Sequence, residues 1–178
     1  MTGNTPGRIT LRLSFAVAGT LCAAVIAGSG FAQAQNVPEK MPFDIPYAMP
    51  VNYETAMTLV NAAAAEAKKR NWKMNIAVVD NNGELIAFAR MDGAQIASVK
   101  ISQGKAATAA RYRRESEVFF KAMESGHPYV PTLDYQLVAS PGGIPLVHDG
   151  KMVGGIGCSG GTGDQDAVIC KAGAAALK

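Results

Sequence analysis

Two short turn signals limit the fold more than any other feature of the sequence. Asn82-Gly83 and Asp149-Gly150 each stand between two runs that are rich in β-branched and apolar residues. Such pairs are typical of tight hairpin turns, which join neighbouring antiparallel strands. The pattern therefore predicts strands over 75–80 and 84–90, and again over 144–148 and 151–158. A sheet made only of parallel strands is excluded, because parallel neighbours need long crossover connections.

Apolar residues that recur every three or four positions predict helices around these hairpins. The pattern covers residues 53–70, 98–114 and 164–177, with a shorter helix over 115–124. Asn52 is an expected N-cap, and Thr162 with Gln165 fits a capping box. We therefore expect an α/β chain of the α+β type, in which a single, mainly antiparallel sheet is flanked by helices.

The first 34 residues have the features of a secretory signal peptide. They contain Arg8 and Arg12 but no acidic residue, then an apolar run, and finally Ala32-x-Ala34. We expect cleavage after Ala34 and a secreted, periplasmic protein without membrane attachment. An uncleaved membrane anchor is the alternative. Residues 35–51 hold four prolines and are expected to form an extended arm before a domain over 52–178.

Charge and cysteine content narrow the function classes. The whole chain has 17 Lys and Arg against 14 Asp and Glu, and loss of the leader would bring these close to balance. Binding to nucleic acid or to an anionic membrane is therefore not expected. Cys158 and Cys170 would remain after cleavage. They form a disulfide if the fold brings their Cα atoms close enough, and otherwise they are buried thiols.

A glycine motif near the C-terminus allows three interpretations. Gly155-x-Gly157-x-x-Gly160 matches the dinucleotide fingerprint, but too few residues follow for the acidic residue that binds the ribose. The backbone N–H groups of Ser159, Gly160 and Gly161, just before a predicted helix, are a candidate site for a carboxylate or phosphate. Alternatively, these glycines serve only the tight turn from strand to helix.

Four segments together resemble a known family. They are residues 76–80 with Asn82-Gly83, the run Arg90-Met91-Asp92-Gly93-Ala94, the run Lys105-Ala-Ala-Thr108-Ala109, and residues 154–161 followed by Asp166. In this order and spacing they resemble the GlcG/HbpS-like haem-binding family, which includes the C-terminal domain of PduO-type adenosyltransferases. Cys158 and the stretch 126–135 depart from the family pattern. The resemblance implies a sandwich with a five-stranded antiparallel sheet, homo-oligomers, and haem or a related tetrapyrrole as the ligand.

The resemblance also implies where haem would lie. It points to the predicted helix over 98–114 and places Thr108 or a neighbouring residue near the iron. Cationic side chains on the same segment are candidate partners for the propionates; the alternatives are a solvated helix face or ion pairs with Glu115 and Glu117. The four cations are Lys105, Arg111, Arg113 and Arg114. From the residues themselves, the candidate iron ligands are His148, His127 and Tyr129, each of which is otherwise an ordinary surface residue.

Three functions are compatible with these features. The first is an exported protein that binds haem or a related tetrapyrrole for storage, scavenging or sensing, with an unidentified sensor partner. The second is a non-haem accessory protein or one that binds a small carboxylate at the glycine-rich loop. The third is a slow haem-degrading enzyme. The sequence has no Ser-His-Asp order, paired carboxylates or P-loop, so we expect binding rather than catalysis.

Overall fold

The structure, a computed structural model, describes residues 1–3, 39–41 and 43–178. Most of the expected signal peptide therefore lies outside the described residues. The elements follow one another as α1 (Tyr53–Lys69), β1 (Asn75–Val79), β2 (Leu85–Arg90), α2 (Ser98–Tyr112), α3 (Glu117–Glu124), β3 (Gly143–His148), β4 (Lys151–Ser159) and α4 (Gly163–Ala174), with one 3-10 turn at Val130–Thr132. Among the described residues, no helix is both long enough and apolar enough to cross a bilayer.

The strands form one antiparallel sheet in the order β2-β1-β4-β3. Both predicted hairpins are confirmed, and in the second one Asp149 and Gly150 have φ of 48° and 71°, as turns of this kind require. The central pairing of β1 with β4 places Asn75 opposite Ser159. The described residues contain four strands, so the five-strand count that the resemblance implied is not confirmed.

The N-terminal arm, here residues 43–51, adds to the sheet without forming a strand. Since β1 ends opposite Gly155, the first residues of β4 have one uncovered side, and Tyr47 forms a parallel bridge with Met152 there. The arm is held by three backbone hydrogen bonds, from Ala48 N to Met152 O (2.8 Å), from Met152 N to Pro46 O (2.8 Å) and from Val51 N to Val153 O (2.9 Å). The expected extended arm is thus attached along its described part.

Helices cover both faces of the sheet. Alternate residues of β1 point in opposite directions, as in any strand. Ile76 and Val78 belong to the main core with residues of α1 and α4, among them Leu59 and Ile169. Ala77 and Val79 belong to a smaller cluster against α2, with Ala106 and Ala110. The small residues of this second cluster bring α2 close to the sheet.

Two glycines of β4 make this close approach sterically feasible. A Cβ atom on Gly155 would collide with the carbonyl oxygen of Ala106, and one on Gly157 with that of Ser102. The backbone of α2 therefore lies directly on β4. The Gly-x-Gly motif serves helix-to-sheet packing. The sheet that the described residues form is antiparallel, which argues against the dinucleotide interpretation of the motif.

The two cysteines are paired. Cys158 in β4 and Cys170 in α4 form a disulfide with a Cα–Cα distance of 5.5 Å, and both residues are fully buried. The bond joins the central strand to the last helix. The sequence had left this question open, because it depends on a distance that only the packing of α4 on the sheet determines.

Candidate ligand-binding site

One side of α2 faces a cleft rather than the sheet. Residues at the helical spacing of three and four line a hollow of about 400 Å³ between α2, the β1–β2 turn and the loop 134–138. We call it the α2 cleft. Its lining comprises Gly83, Glu84, Lys100, Gln103, Gly104, Ala107, Arg111, Tyr135, Gln136, Leu137 and Val138.

Side chains of α2 fix the loop that forms the far wall of the cleft. The hydroxyl oxygen of Thr108 accepts a hydrogen bond from Val138 N at 2.9 Å. Arg111 Nη1 lies 3.1 Å from Asp134 Oδ2, and Arg111 Nε donates to Asn82 O at 2.8 Å. Both walls are thus tied to the helix, so the cleft exists before any ligand binds.

The floor of the α2 cleft is made of very small residues. A Cβ atom on Gly104 would lie 2.5 Å from Val138 Cγ2, and one on Gly83 would lie 2.9 Å from the Cβ of Ala107. Gly83, Gly104 and Ala107 thus carry no side chain longer than a methyl group. Gly104 and Gly83 therefore let the loop 134–138 and the β1–β2 turn pack closely against α2.

The rim of the α2 cleft carries cations and an exposed phenol. Lys100 makes no ion pair with a described residue, and Nη2 of Arg111 makes no hydrogen bond with one. Tyr135 is 93% exposed at the edge. Glu84 is the acid among the lining residues. The rim can therefore bind a carboxylate.

Lys105 lies on the opposite side of α2, inside the protein. Its Nζ is 2.7 Å from Asp166 Oδ2, and the two side chains are 2% and 3% exposed. Burial raises the pKa of Asp166, while the hydrogen bonds from Lys105, Gly161 and Gly160 oppose that rise. The amino group of Lys105 therefore neutralises a carboxylate of this chain and is not at the surface, where the resemblance had implied a propionate partner.

The glycine-rich loop also binds the chain's own carboxylate. Gly160 N and Gly161 N donate to Asp166 Oδ1 at 3.0 and 2.9 Å. The expectation that these N–H groups are free is wrong, because Asp166 from the following helix reaches back to them. The predicted capping box between Thr162 and Gln165 is confirmed.

Ser159 belongs to a buried polar chain on the same side. Its hydroxyl donates to Ser98 Oγ at 2.9 Å, and Ser98 Oγ accepts a bond from Gln95 Nε2 at 2.8 Å. Nearby, Asn75 Nδ2 donates to Gln95 O at 3.2 Å. These bonds link β4, the start of α2 and β1, which makes Ser159 part of the interior packing.

Arg113 and Arg114 follow the end of α2 and contact the arm. Arg113 has a left-handed φ of 56° and donates from Nη1 to Ile45 O at 3.0 Å. The guanidinium carbon of Arg114 lies 3.5 Å from the ring centroid of Phe43 and 4.9 Å from that of Phe119. Burial lowers the pKa of Arg114. Of the four predicted cationic partners, only Arg111 lines the α2 cleft.

The predicted iron ligands are dispersed. His148 is at the end of β3, where its Nε2 lies 3.5 Å from Asp149 Oδ2, and it lines a small hollow beside the arm. His127 and Tyr129 follow α3 with ring centroids 5.8 Å apart, and His127 Nδ1 lies 3.2 Å from Ser125 Oγ.

None of these three predicted iron ligands lines the α2 cleft, and Thr108, which lies beside the cleft, is only 2% exposed. Within the described ranges, no group of three His, Cys, Asp or Glu side chains could hold a metal ion.

Sequence reasoning missed several lining residues. The missed residues Lys100, Gln103, Gly104 and Ala107 form one helical stripe with Arg111, which was predicted. This stripe lies opposite the one that packs on the sheet, so the spacing contained a usable signal. Tyr135 had no such signal. Its position depends on the bonds of Asp134 and Val138 to α2, which are contacts between distant segments.

The family model for haem degrading proteins of the HbpS-like type matches residues 51–175. The chain belongs to this family. Among curated relatives, protein GlcG of Escherichia coli strain K12 is 40% identical over 109 residues, which cover 61% of this chain and 81% of GlcG. The resemblance drawn from four sequence segments is therefore confirmed.

Solved structures agree with this membership. A double mutant of HbpS from Streptomyces reticuli is 29% identical, has a TM-score of 0.69, and is matched over 82% of this chain and 98% of its own. A complex of PduOC with heme is 26% identical, has a TM-score of 0.68, and is matched over 73% of this chain and 96% of its own. Members of the HbpS-like family thus share the α+β fold described above.

Proposed function

We propose that this protein is an exported binding protein for haem or a related tetrapyrrole, and that the α2 cleft is its binding site. The observation that carries this proposal is a cleft that combines small residues at its base with cations at its rim. Gly83, Gly104 and Ala107 make the floor, and Lys100 and Arg111 supply the charges. A planar apolar ligand with carboxylates at its edge fits such a surface.

The residues of the cleft suit separate parts of a tetrapyrrole. The macrocycle lies against the floor, and its propionates pair with Arg111 Nη2 and with Lys100. Tyr135 supplies a phenol at the rim, and a phenolate is a known ligand of ferric haem. Tyr135 therefore replaces His148, His127 and Tyr129 as the proposed iron ligand.

The comparisons support the ligand class. A structural neighbour is a complex of PduOC with heme, and the family model describes haem degrading proteins. Storage, scavenging and sensing are equal proposals for the physiological role. Each of these roles would use the same cleft, which α2, the β1–β2 turn and the loop 134–138 form together. We also propose that the protein associates with itself into a homo-oligomer.

A titration with hemin tests the binding site. We expect the mature protein to give a saturable, shifted Soret band. Replacing Tyr135 with Phe should weaken binding and change the ferric spectrum, because the phenolate oxygen is lost. Tyr129→Phe is the matched control, since Tyr129 is also an exposed tyrosine but lies outside the cleft. An unsaturable spectral drift with the wild-type protein would refute haem binding.

The description of the family favours haem degradation as a second candidate function. Aerobic incubation of the haem-loaded protein with ascorbate and catalase distinguishes it from binding alone. Loss of the Soret band together with release of iron would establish degradation, whereas a persistent band would reject it.

Export belongs to the same proposal, with cleavage after Ala34. The apolar run, the small residues at the cleavage site and the Cys158–Cys170 disulfide support it, because disulfides persist in oxidising compartments. N-terminal sequencing of the protein from a periplasmic fraction should begin at Gln35. Recovery of the uncleaved chain in the cytosol would contradict this.

A further inference from the structure

A second hollow lies away from the α2 cleft, between the end of α1 and the end of β2. Its volume is about 490 Å³. We call it the Trp72 cleft. Its lining consists of Ala64, Lys68, Asn71, Trp72, Lys73, Ala89, Arg90, Met91 and Asp92. The motif Arg90-Met91-Asp92 supplies one wall, so a segment that marks the family also builds this hollow.

The interior of the Trp72 cleft is apolar. Trp72 and Met91 are half-buried and pack against the main core together with Ala64 and Ala89. Arg70 lies with its guanidinium carbon 5.1 Å from the Trp72 ring centroid, which helps to fix the indole. An aromatic or aliphatic body of modest size can therefore be removed from water against these side chains.

Three cations surround this apolar surface, against one acid. Lys68, Lys73 and Arg90 make no ion pair with any other residue that the structure describes. By contrast, the neighbouring cations Lys69 and Arg70 both form ion pairs with Glu66, with N···O distances of 3.3 and 2.7 Å. Asp92 is the acidic residue among those that line the Trp72 cleft.

The position of Lys73 is fixed by the turn that follows Arg90. A Cβ atom on Gly93 would lie 3.0 Å from both Cδ and Nζ of Lys73, so the lysine side chain lies across this glycine. At the end of α1, Ala67 O accepts bonds from Arg70 N and Trp72 N, while the side chains of Lys68, Lys73 and Arg90 donate no hydrogen bond to a described residue. The excess positive charge is thus available to a ligand.

We propose that the Trp72 cleft binds a small aromatic carboxylate, independently of the tetrapyrrole. The ring of the ligand lies against Trp72 and Met91, and its carboxylate pairs with Lys73 and Arg90. A neutral ring lacks the ionic contacts, and a carboxylate without a ring lacks the apolar contact. Both parts of the ligand are therefore needed.

Trp72 is the one tryptophan of the sequence, so its fluorescence reports on this cleft directly. The mature protein is titrated with benzoate, with benzamide as the uncharged analogue and with acetate as the analogue without a ring. We expect a saturable change of Trp72 emission with benzoate, at a concentration about tenfold lower than for either analogue. Benzamide lacks the two exposed ionic contacts, and acetate lacks the apolar contact with Trp72 and Met91.

A double variant locates the binding. Lys73→Gln with Arg90→Gln should weaken benzoate binding about tenfold, while Lys151→Gln, a cation at the start of β4, should leave it unchanged. The hemin titration of the double variant should match wild type, and an unchanged far-ultraviolet circular dichroism spectrum confirms folding. Linear, unsaturable quenching by benzoate, or saturable binding of equal strength in the double variant, would overturn the proposal.

Discussion

At the scale of single residues, the Lys105–Asp166 pair shows how a charged side chain can be part of the interior. Lys105 is 1% exposed and Asp166 2%, and Asp166 also accepts the N–H groups of Gly160 and Gly161. An ion pair in such a place is tolerated because every polar atom of the carboxylate has a partner. The family resemblance had placed Lys105 among the candidate propionate partners, because the sequence does not show which side of the helix faces the interior.

Removing one partner of this pair should be costly. We expect Lys105→Met to lower the free energy of unfolding by about 3 kcal/mol at neutral pH, because it leaves a buried carboxylate without its counter-ion. Lys171→Met is the control, because Lys171 pairs with Glu115 at the surface and should lose less than about 1 kcal/mol. Urea unfolding measures both variants.

The same variant has a predictable pH dependence. Burial raises the pKa of Asp166 above the value for an unfolded chain, so the folded variant takes up a proton at a higher pH than the unfolded one. The loss of unfolding free energy caused by Lys105→Met should therefore become smaller as the pH falls through the pKa of Asp166 in the folded variant. A loss that stays constant on acidification would show that Asp166 is not its cause.

At the scale of elements, the contact between α2 and β4 determines where the candidate site lies. The glycines of β4 let one stripe of the helix rest on the sheet, which leaves the opposite stripe to line the α2 cleft. The sequence predicted this helix and these strands from their periodicities. It did not predict which stripe faces the cleft, because both stripes contain small and polar residues.

Adding one methyl group at this contact should destabilise the fold. We expect Gly157→Ala to lower the free energy of unfolding by about 2 kcal/mol, since the new Cβ collides with the Ser102 carbonyl oxygen. Gly150→Ala is the comparison, because its Cβ meets open space and only the left-handed φ of 71° costs energy, about 1 kcal/mol. Thermal unfolding of the two variants should rank them in this order; equal losses would contradict the packing argument.

At the scale of the whole molecule, two connections hold distant parts of the chain together. The arm binds the start of β4 and the end of α2, where the hydroxyl of Tyr47 donates to Arg111 O at 2.8 Å. The disulfide joins the centre of the sheet to α4. The disulfide joins residues that do not line the α2 cleft, whereas the arm contacts Arg111 at its rim. Loss of the disulfide should therefore change stability separately from ligand binding.

Loss of the disulfide tests this separation. Replacing Cys158 and Cys170 with Ala should lower the free energy of unfolding by about 3 kcal/mol, as expected for a bond that closes a loop of this length. Hemin affinity should stay within about twofold of wild type, because the cleft lies on the other face of the sheet. A parallel fall in hemin affinity would show that α4 and the α2 cleft are coupled.

The sequence by itself determined the elements, the antiparallel pairing and the family, because turn residues, periodicity and short motifs act locally along the chain. Only the tertiary structure decided that Lys105 pairs with Asp166, that the two cysteines meet, and that Tyr135 stands beside α2. Each of these depends on distances between segments far apart in sequence, which are fixed by how α2 and α4 pack on opposite faces of one sheet.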